Sequence, residues 1–229
     1  MQQPFMVTAQ MVTPSSHLNQ NHTKQILSND NLLIKLLDDS LGNRLNKSTT
    51  ILEVTSMFPQ VNNISNPNSI SHLFHGISQN LDSAKRTTAK QLLSNYHDFD
   101  IVFFLTPNGN MYIMEPYLQQ SHLTKNNYAF RDYYKEAIKT HNTYLGGVII
   151  STATGKKQAV ISVPIYSHNN ELIGIWGADI SLKAIEKSLQ VLNITNNNDS
   201  NATKLRIIFA DQNGKKIADS DKVSSNNQN

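Results

Sequence analysis

The chain has 229 residues, of which 38% are hydrophobic and 16% are charged, and its formal net charge is +3. The absence of cysteine excludes disulfides, thiolate metal sites and cysteine nucleophiles, and the scattered lysines and arginines form no basic run that would predict binding to nucleic acid. No apolar run approaches the ~18–20 residues that span a bilayer, and the first residues lack the features of a signal peptide. The chain is therefore expected to be either cytoplasmic or attached to a membrane through segments outside this chain.

The N-terminal part is predicted to contain a long helix after an irregular start. Residues 1–22 are polar and contain two prolines, which is typical of a disordered lead-in. Leucines then recur at every fourth position, namely Leu33, Leu37, Leu41 and Leu45. This spacing predicts a helix over about residues 23–47, ~37 Å long, which suits a stalk leading into a domain as well as it suits a core helix. Residues 23–68 are interpreted as a stalk helix and linker.

The pattern changes from helices to strands near residue 98. Three short helices are predicted first, at residues 49–58, 69–79 and 82–96. Asp82 is a suitable N-cap for the third of them. Residues 99–106 and 111–114 are rich in β-branched, aromatic and other apolar side chains and flank an Asn-Gly turn, which predicts a β-hairpin.

The next part of the chain is predicted to be mostly β-structure. Its elements are a helix, a short strand and the two strands of a long hairpin, at residues 129–140, 148–151, 158–167 and 171–180. Ser181 is the expected N-cap of a last helix that ends near residue 192. Because most consecutive strands are joined by short turns, the sheet should be antiparallel and the fold class α+β, with helices flanking the sheet.

Residues 193–229 repeat part of an earlier pattern. A low-complexity polar linker at residues 193–203 is followed by an apolar strand, a turn that contains Asn213-Gly214 and a second strand. The hairpin at residues 99–114 has the same order of features. The repetition predicts the first hairpin of a second, related module, which is incomplete because the chain ends in a polar tail.

Arg131 is the first candidate ligand-binding residue. It lies in the first turn of a predicted helix beside Tyr133 and Tyr134, and Tyr128 lies three residues before it. A guanidinium group matches both oxygens of a carboxylate, and tyrosines supply apolar walls with hydroxyl tips. The alternative is that Arg131 pairs with a nearby acidic residue or a carbonyl group while the tyrosines fill the core.

Asp179 is the second candidate. It ends the otherwise apolar strand ELIGIWGAD, on the same face as Ile175 and Gly177. Burial of an unpaired aspartate costs on the order of several kcal/mol. The partner of Asp179 is therefore expected to be Arg131, a ligand cation or the N-terminus of the following helix, which Asp179 could cap. Trp176 falls on the opposite face and is expected to be structural.

Few other residues are candidates for catalysis or for binding a ligand or metal. Ser151 and Thr152 belong to a hydroxyl-rich turn that either lines a pocket or makes a bend. The histidines are spread along the chain without an HExxH pair, so no metal and no cofactor are expected. No GxSxG, Walker or GxGxxG pattern occurs, and the chain is not expected to be an enzyme.

In their order, these features resemble a Cache domain of the double-Cache type, the PAS-like extracellular sensor module of chemoreceptors and histidine kinases. The resemblance is carried by the segments FFLTPNGNMYI, YAFRDYYKEA, TGKKQAVISVPIYSHNNELIGIWGADISL and IIFADQNGKKIA. It covers roughly residues 70–220, and a long preceding helix also fits. The resemblance implies a PAS-like antiparallel sheet and assigns residues 69–192 to a membrane-distal ligand-binding module.

The resemblance also implies a site. Amino-acid-binding members grip the ligand carboxylate with an Arg-x-Trp-Tyr motif and the ammonium group with a later Asp. Arg131, Tyr133 and Tyr134 stand at the first motif and Asp179 at the second, with Tyr133 in place of the tryptophan. Asn126 stands where those members carry a tyrosine, and their additional tyrosine and aspartate are not evident. The expected ligand is a small amino acid, amine or carboxylate.

The implied function is that of an extracytoplasmic, cell-surface sensor domain in a membrane-anchored signalling receptor. The long N-terminal helix is the expected surface for a homodimer, and no nucleic acid is expected as a partner. Two alternatives stay open. One is a structural or surface protein that uses a Cache-like scaffold without a ligand, and the other, with less support, is an uncharacterised hydrolase.

Overall fold

The computed structural model describes residues 5–12, 20–182, 204–211, 214 and 216–219. The chain divides into two compact units. The larger unit is Lys47–Ser181, and the smaller unit combines Met1–Asn46 with Leu182–Asn229. Each unit contains an antiparallel sheet, and helices accompany the sheet of the larger unit, which confirms the predicted α+β class.

The elements of the described ranges follow one another in this order: β1 (Phe5–Val12), α1 (Gln20–Ser56), a 3-10 turn (Pro67–Ser69), α2 (Ser83–Asn95), β2 (Phe99–Leu105), β3 (Met111–Glu115), α3 (Tyr117–Ser121), α4 (Asp132–Thr140), β4 (Tyr144–Leu145), β5 (Ile149–Ile150), β6 (Lys157–Tyr166), β7 (Leu172–Ile180), β8 (Lys204–Asp211) and β9 (Lys216–Asp219).

The sheet of the larger unit is built from two hairpins. The strand pairs β2–β3 and β6–β7 form the hairpins predicted at residues 99–114 and 158–180. Strands β2 and β7 join them, which gives the order β3-β2-β7-β6-β4, and β5 pairs with β6. This register makes β7 a central strand and sets Asp179 between Ile101 on β2 and Val160 on β6.

One face of this sheet packs against helices α1 and α2. The indole Nε1 of Trp176 on β7 donates a hydrogen bond of 3.1 Å to the Thr55 hydroxyl in the last turn of α1. On the same face the Lys85 ammonium group of α2 lies 4.5 Å from the centre of the Phe104 ring. The side chain of Trp176 is fully buried, so its predicted structural role is confirmed.

The opposite face packs against α4 and the loops on either side of it. Its apolar core includes Ile101, Phe103 and Ile175 from the sheet and Tyr133 from α4. The rings of Phe103 and Tyr133 meet with their centres 5.9 Å apart. The candidate site lies on this face.

The prediction of a helix at residues 69–79 is wrong. Only Pro67–Ser69 form a 3-10 turn, after which Ser71 pairs with Gly76 in an isolated bridge. Gly76 has a φ of +141°, which a helix does not contain, and a Cβ atom there would lie 2.7 Å from the Tyr112 carbonyl oxygen. The backbone N–H of Ile77 donates to the same carbonyl oxygen of β3 at 2.9 Å, so pairing with the sheet replaces the helix.

The prediction of a disordered lead-in over residues 1–22 is wrong for residues 5–12. They form β1, which pairs antiparallel with β8 in a sheet of order β1-β8-β9. The partner strand lies near the other end of the chain, and local composition carries no information about such a pairing. The β8–β9 pair is the predicted C-terminal hairpin, with Gly214 at a φ of +73° in its turn.

Helix α1 is longer than predicted. It has 37 residues and includes residues 49–56 of the segment at 49–58 that was expected to form a separate helix, because no proline interrupts the run before its end at Ser56. Asp82 caps α2 as predicted, with its side chain accepting from the Lys85 N–H. The predicted helix after Ser181 lies outside the described residues from residue 183 onward, as does the linker at residues 193–203. None of the helices in the described ranges has the length and apolar character required to cross a bilayer.

Candidate functional site

A cavity lies on the face of the larger sheet that carries Phe103. It has an empty volume of about 300 Å³, counted with the solvent at its mouth. Its apolar wall consists of Phe103, Met111, Met114, Ile149 and Ala153. Its polar wall consists of Tyr128, Arg131, Tyr133, Ser151, Thr152, Gln158 and Asp179. Only about 20 Å³ of this space is open to the centre of a water-sized molecule, so a larger solute would have to displace side chains of the cavity wall.

Asp179 lies at the floor of the cavity and is only 3% exposed. Burial raises the pKa of this carboxyl group from 3.8 to about 8. A hydrogen bond from Gln158 lowers the pKa, the Asp100 carboxylate raises it and the Arg131 guanidinium lowers it, each by less than burial raises it. Burial in a central strand therefore favours the neutral acid near pH 7, and a cation in the cavity would favour the carboxylate.

Arg131 enters the cavity from the start of α4. It is the N-cap residue rather than part of the first turn, with φ −73° and ψ 142°. Its Nη2 donates to the Ile150 carbonyl oxygen at 3.3 Å, and its guanidinium carbon lies 5.2 Å from the centre of the Phe130 ring. Its Nε–H is buried and has no hydrogen-bond partner. An unsatisfied buried donor costs ~1–3 kcal/mol, so this N–H is a point at which a ligand acceptor would gain free energy.

The alternative interpretation of Arg131 is met in part, because its side-chain partner is the Ile150 carbonyl group and the neighbouring tyrosines belong to the core, but no acidic partner is found in the described part of the chain. Among the described residues, no ion pair joins Arg131 to Asp179, Asp132 or Glu136, and Glu136 pairs instead with Lys139 at 3.5 Å. Arg131 and Asp179 nevertheless line the same cavity and influence each other electrostatically.

The three tyrosines of the YAFRDYY segment differ in whether they line the cavity. Tyr128 and Tyr133 line the cavity, and burial raises the pKa of both hydroxyls. The Tyr128 hydroxyl also lies 3.1 Å from the Thr152 hydroxyl. Tyr134 does not line the cavity, because its hydroxyl donates to the Pro107 carbonyl oxygen at 2.5 Å. Adjacent residues of a helix point about 100° apart, and of these two tyrosines only Tyr133 reaches the cavity, although both belong to the same apolar core.

The hydroxyl-rich turn lies at the edge of the cavity. The Ser151 hydroxyl accepts hydrogen bonds of 3.2 Å from the backbone N–H groups of Ala153 and Thr154, which holds the turn in shape. Ser151 and Thr152 both line the cavity. The structure thus combines the two interpretations of this turn, since it makes a bend and lines a pocket.

Sequence reasoning missed Gln158 and the apolar wall. Gln158 is buried on β6 and lines the cavity beside Asp179. Strand alternation could have found it, because Gln158 and Val160 share a face of the predicted strand. No histidine lines the cavity, and no cluster of three or more His, Asp or Glu in the described residues is arranged to hold a metal ion.

A helix-backed antiparallel sheet with a polar cavity on its other face defines a ligand-binding module of the PAS-like kind. The family model described as Cache domain, dCache_1, matches residues 18–228 of this chain. The chain therefore belongs to the Cache domain family. No curated protein matches its sequence.

Solved structures that are similar to this chain in fold include chemoreceptor ligand-binding domains. The ligand-binding domain of Campylobacter jejuni chemoreceptor Tlp3 in complex with L-valine superposes with a TM-score of 0.57 at 17% identity, over 92% of this chain and 77% of that chain. The domain of Pseudomonas fluorescens chemoreceptor CtaA in complex with L-isoleucine has a TM-score of 0.55 at 17% identity, over 75% of this chain and 63% of that chain. The domain of the Pseudomonas aeruginosa PAO1 amino acid chemoreceptor PctC in complex with GABA has a TM-score of 0.50 at 17% identity, over 76% and 67%. The chain thus spans a little less than two thirds of the CtaA domain.

Proposed function

We propose that this Cache domain is the extracytoplasmic sensor domain of a transmembrane signalling receptor and that its cavity binds a small amino acid, amine or carboxylate. The observation that carries the proposal is that, within the described ranges, one cavity is lined by an arginine with an unsatisfied donor and by a buried aspartate without an ion pair. Arg131 has a buried Nε–H without a partner, and Asp179 is a buried carboxyl group without an ion-pair partner among the described residues.

Each of these groups matches a part of such a ligand. The guanidinium of Arg131 would donate to a ligand carboxylate, with its unpartnered Nε–H among the donors. Asp179 would accept from a ligand ammonium group, which would favour its ionised form. The apolar wall around Phe103 would hold a short aliphatic chain. The complexes of Tlp3 with L-valine and of PctC with GABA are consistent with this ligand class.

Two hydrogen bonds give the site a means to respond to a ligand. The contacts of Arg131 with the Ile150 carbonyl and of Tyr128 with Thr152 join the loop before α4 to the segment around β5. A ligand carboxylate would compete with the Ile150 carbonyl for the guanidinium. Binding would then favour one arrangement of these two segments over the other. The size of this shift depends on how much more tightly the ligand binds the favoured arrangement.

Isothermal titration calorimetry over a panel of amino acids, amines and carboxylates tests the proposal. A ligand should bind the wild-type chain, and Arg131→Ala and Asp179→Ala should each weaken it at least about tenfold, equivalent to about 1.4 kcal/mol. Tyr134→Phe is the matched control, because Tyr134 is on the same helix but does not line the cavity. A hit that binds equally well to wild type, Arg131→Ala and Asp179→Ala would show that the site assignment is wrong.

The proposed receptor would act as a dimer through α1. Leu32 and Leu36 lie one turn apart on this helix and are 58% and 56% exposed. Exposed leucines at helical spacing favour packing against a second helix. Analytical ultracentrifugation should detect a dimer that Leu32→Lys and Leu36→Lys together abolish, and a wild-type monomer at high concentration would contradict this part of the proposal.

A further inference from the structure

Gln158 is a neutral polar residue in the charged part of the cavity. It lies on β6 two residues before Val160, which is directly opposite Asp179 on β7. Residues on one face of an antiparallel pair lie ~7–8 Å apart along the diagonal, within reach of a long side chain. Gln158 is buried, lines the same cavity as Asp179 and forms a hydrogen bond with it.

The groups that face Asp179 come from every element packed around it. Asp100 approaches from β2 with like charge, and Arg131 approaches from the N-cap of α4 with opposite charge. Tyr128 and Tyr133 are also near enough to couple electrostatically to Asp179. Gln158 differs from Asp100 and Arg131, because it supplies a hydrogen bond to the carboxylate without adding a charge.

The amide of Gln158 has a defined role toward the ionised carboxyl group. Its NH2 group donates to the Asp179 carboxylate, which favours ionisation against the effect of burial. Without this donor, the neutral acid would be favoured still further, and a ligand ammonium group would have to displace the proton of Asp179 at a greater cost in free energy. A neutral carboxyl group is a poor partner for an ammonium group, whereas it does not repel a ligand carboxylate.

We propose, on the basis of the proposed function, that Gln158 is a positioning residue for ligand selection, which favours the ionised form of Asp179 when a ligand ammonium group binds. The ligand class is then a short aliphatic amine or amino acid. When the ammonium group binds, the proton of Asp179 leaves to solvent and the carboxylate pairs with the ligand. Gln158 contributes to this step and makes no contribution to ligands that carry only a carboxylate.

The first test needs no ligand. The carboxyl carbon of Asp179 is titrated by carbon-13 NMR in the wild-type chain and in Gln158→Met, a substitution of similar shape without the amide. The Asp179→Asn chain identifies the resonance. We expect the titration midpoint to move to higher pH in Gln158→Met and to stay unchanged in Ser162→Ala, a control on the same strand. An unchanged midpoint in Gln158→Met overturns the inference.

The second test uses three compounds of one shape. L-valine carries both charged groups, isovalerate lacks the amino group and isobutylamine lacks the carboxylate. Calorimetry should show that Gln158→Met weakens L-valine and isobutylamine at least about tenfold while isovalerate changes less than about threefold. In buffers of different ionisation enthalpy at pH 7, L-valine should release a proton on binding to wild type, and isovalerate should not.

The outcomes separate the inference from the function on which it rests. If L-valine binds wild type and Gln158→Met weakens all three compounds equally, the ligand-selective role is wrong and the proposed function stands. If none of the three compounds binds wild type, the proposed ligand class and the selective role are both wrong. The NMR titration then still decides whether Gln158 controls the ionisation of Asp179.

Discussion

Two arginines on opposite sides of the larger sheet, the buried Arg86 and the half-buried Arg131, have different surroundings. Arg86 on α2 has every part of its guanidinium group engaged, with Nη1 donating to Glu115 at 2.7 Å and Nη2 to the Ile77 carbonyl and Gln120 at 3.0 and 3.2 Å. Its Nε–H donates to the Leu81 carbonyl at 3.2 Å. Among the described residues, the guanidinium group of Arg131 makes a single hydrogen bond, to the exposed Ile150 carbonyl, and its buried Nε–H has no partner.

The contrast distinguishes a scaffold from a site. A buried arginine whose donors are all satisfied within the protein ties together the segments that accept from it and has nothing left for a ligand. An arginine with one buried, unsatisfied donor beside a cavity lowers stability, and an acceptor that binds there gains free energy. The side of the sheet near α2 is therefore expected to govern stability, and the side near α4 to govern binding. The following four comparisons test this division.

The largest expected difference in the free energy of unfolding is between variants of Arg86 and Arg131. Arg86→Met is expected to lower the free energy of unfolding by about 3–5 kcal/mol, because it leaves the buried Glu115 carboxylate without its ion-pair partner. Arg131→Met should change it by less than about 1 kcal/mol, since it removes one exposed hydrogen bond. Urea denaturation followed by the fluorescence of Trp176, the only tryptophan, measures both. Equal losses in the two variants would remove the distinction.

The second comparison concerns how tightly other atoms pack around two glycines of β7, Gly174 and Gly177. A Cβ atom at Gly174 would lie 2.5 Å from the Leu105 carbonyl oxygen, so Gly174→Ala should destabilise by about 3 kcal/mol. At Gly177 the nearest atoms all belong to the tip of the Phe103 ring, which borders the cavity and can move into it. Gly177→Ala should cost about 1 kcal/mol.

The two variants should rank in the opposite order for ligand affinity. The variant that loses less stability, Gly177→Ala, should lose more affinity. Gly177→Ala should weaken L-valine binding in calorimetry, because the displaced Phe103 ring takes up cavity volume. Gly174→Ala should leave the affinity of the folded protein unchanged. If Gly177→Ala bound L-valine normally, the cavity would not be the binding site for this compound.

The pH dependence of stability should report the buried carboxyl group. The pKa of Asp179 is raised from 3.8 to about 8, so between these values the folded chain keeps a proton that the unfolded chain has lost. The contribution of this group to stability therefore falls as the pH rises from about 4 to 8. Asp179→Asn removes the effect, and its stability relative to wild type should increase from pH 5 to pH 8, by about 1.4 kcal/mol for each pH unit in which only the folded wild-type chain holds the proton. Parallel stability curves for the two proteins would contradict this.

The smallest difference should be between two threonine hydroxyls. Thr55→Val removes the acceptor of the buried Trp176 indole N–H and should cost about 1 kcal/mol. Thr152→Val should cost less than about 0.5 kcal/mol, because the Tyr128 hydroxyl keeps its hydrogen bond to the Lys125 carbonyl. Thermal and urea unfolding of the two variants measure the difference. A larger loss from Thr152→Val than from Thr55→Val would reverse the assignment of scaffold and cavity sides.

Local signals allowed most of the larger unit to be predicted. Its two hairpins follow from runs of β-branched and aromatic residues around turn residues, and the start of α2 follows from Asp82. Prediction failed where distant segments determine the backbone. The loop that ends at Gly76 pairs with β3, and β1 pairs with β8 near the other end of the chain. No periodicity within either segment indicates those partners.

Part of the candidate site could also be predicted. Arg131 and Asp179 were identifiable because each is a charge in apolar surroundings, and both line the cavity, although their role in binding stays a prediction. Tyr134 and Gln158 were misjudged for one reason. Which of two adjacent helical tyrosines faces the sheet depends on how the helix is rotated, and which strand residue lies beside Asp179 depends on strand register.

The sequence alone determined the α+β class, the antiparallel hairpins and the relation to the Cache family, because these depend on the order and periodicity of residues along the chain. Only the tertiary structure decided which side chains meet. It left Arg131 with an unmatched donor, gave Arg86 a complete set of acceptors and set Gln158 beside Asp179. The physical reason is that burial and hydrogen-bond satisfaction depend on distances between segments far apart in sequence, and the residue types alone do not specify those distances.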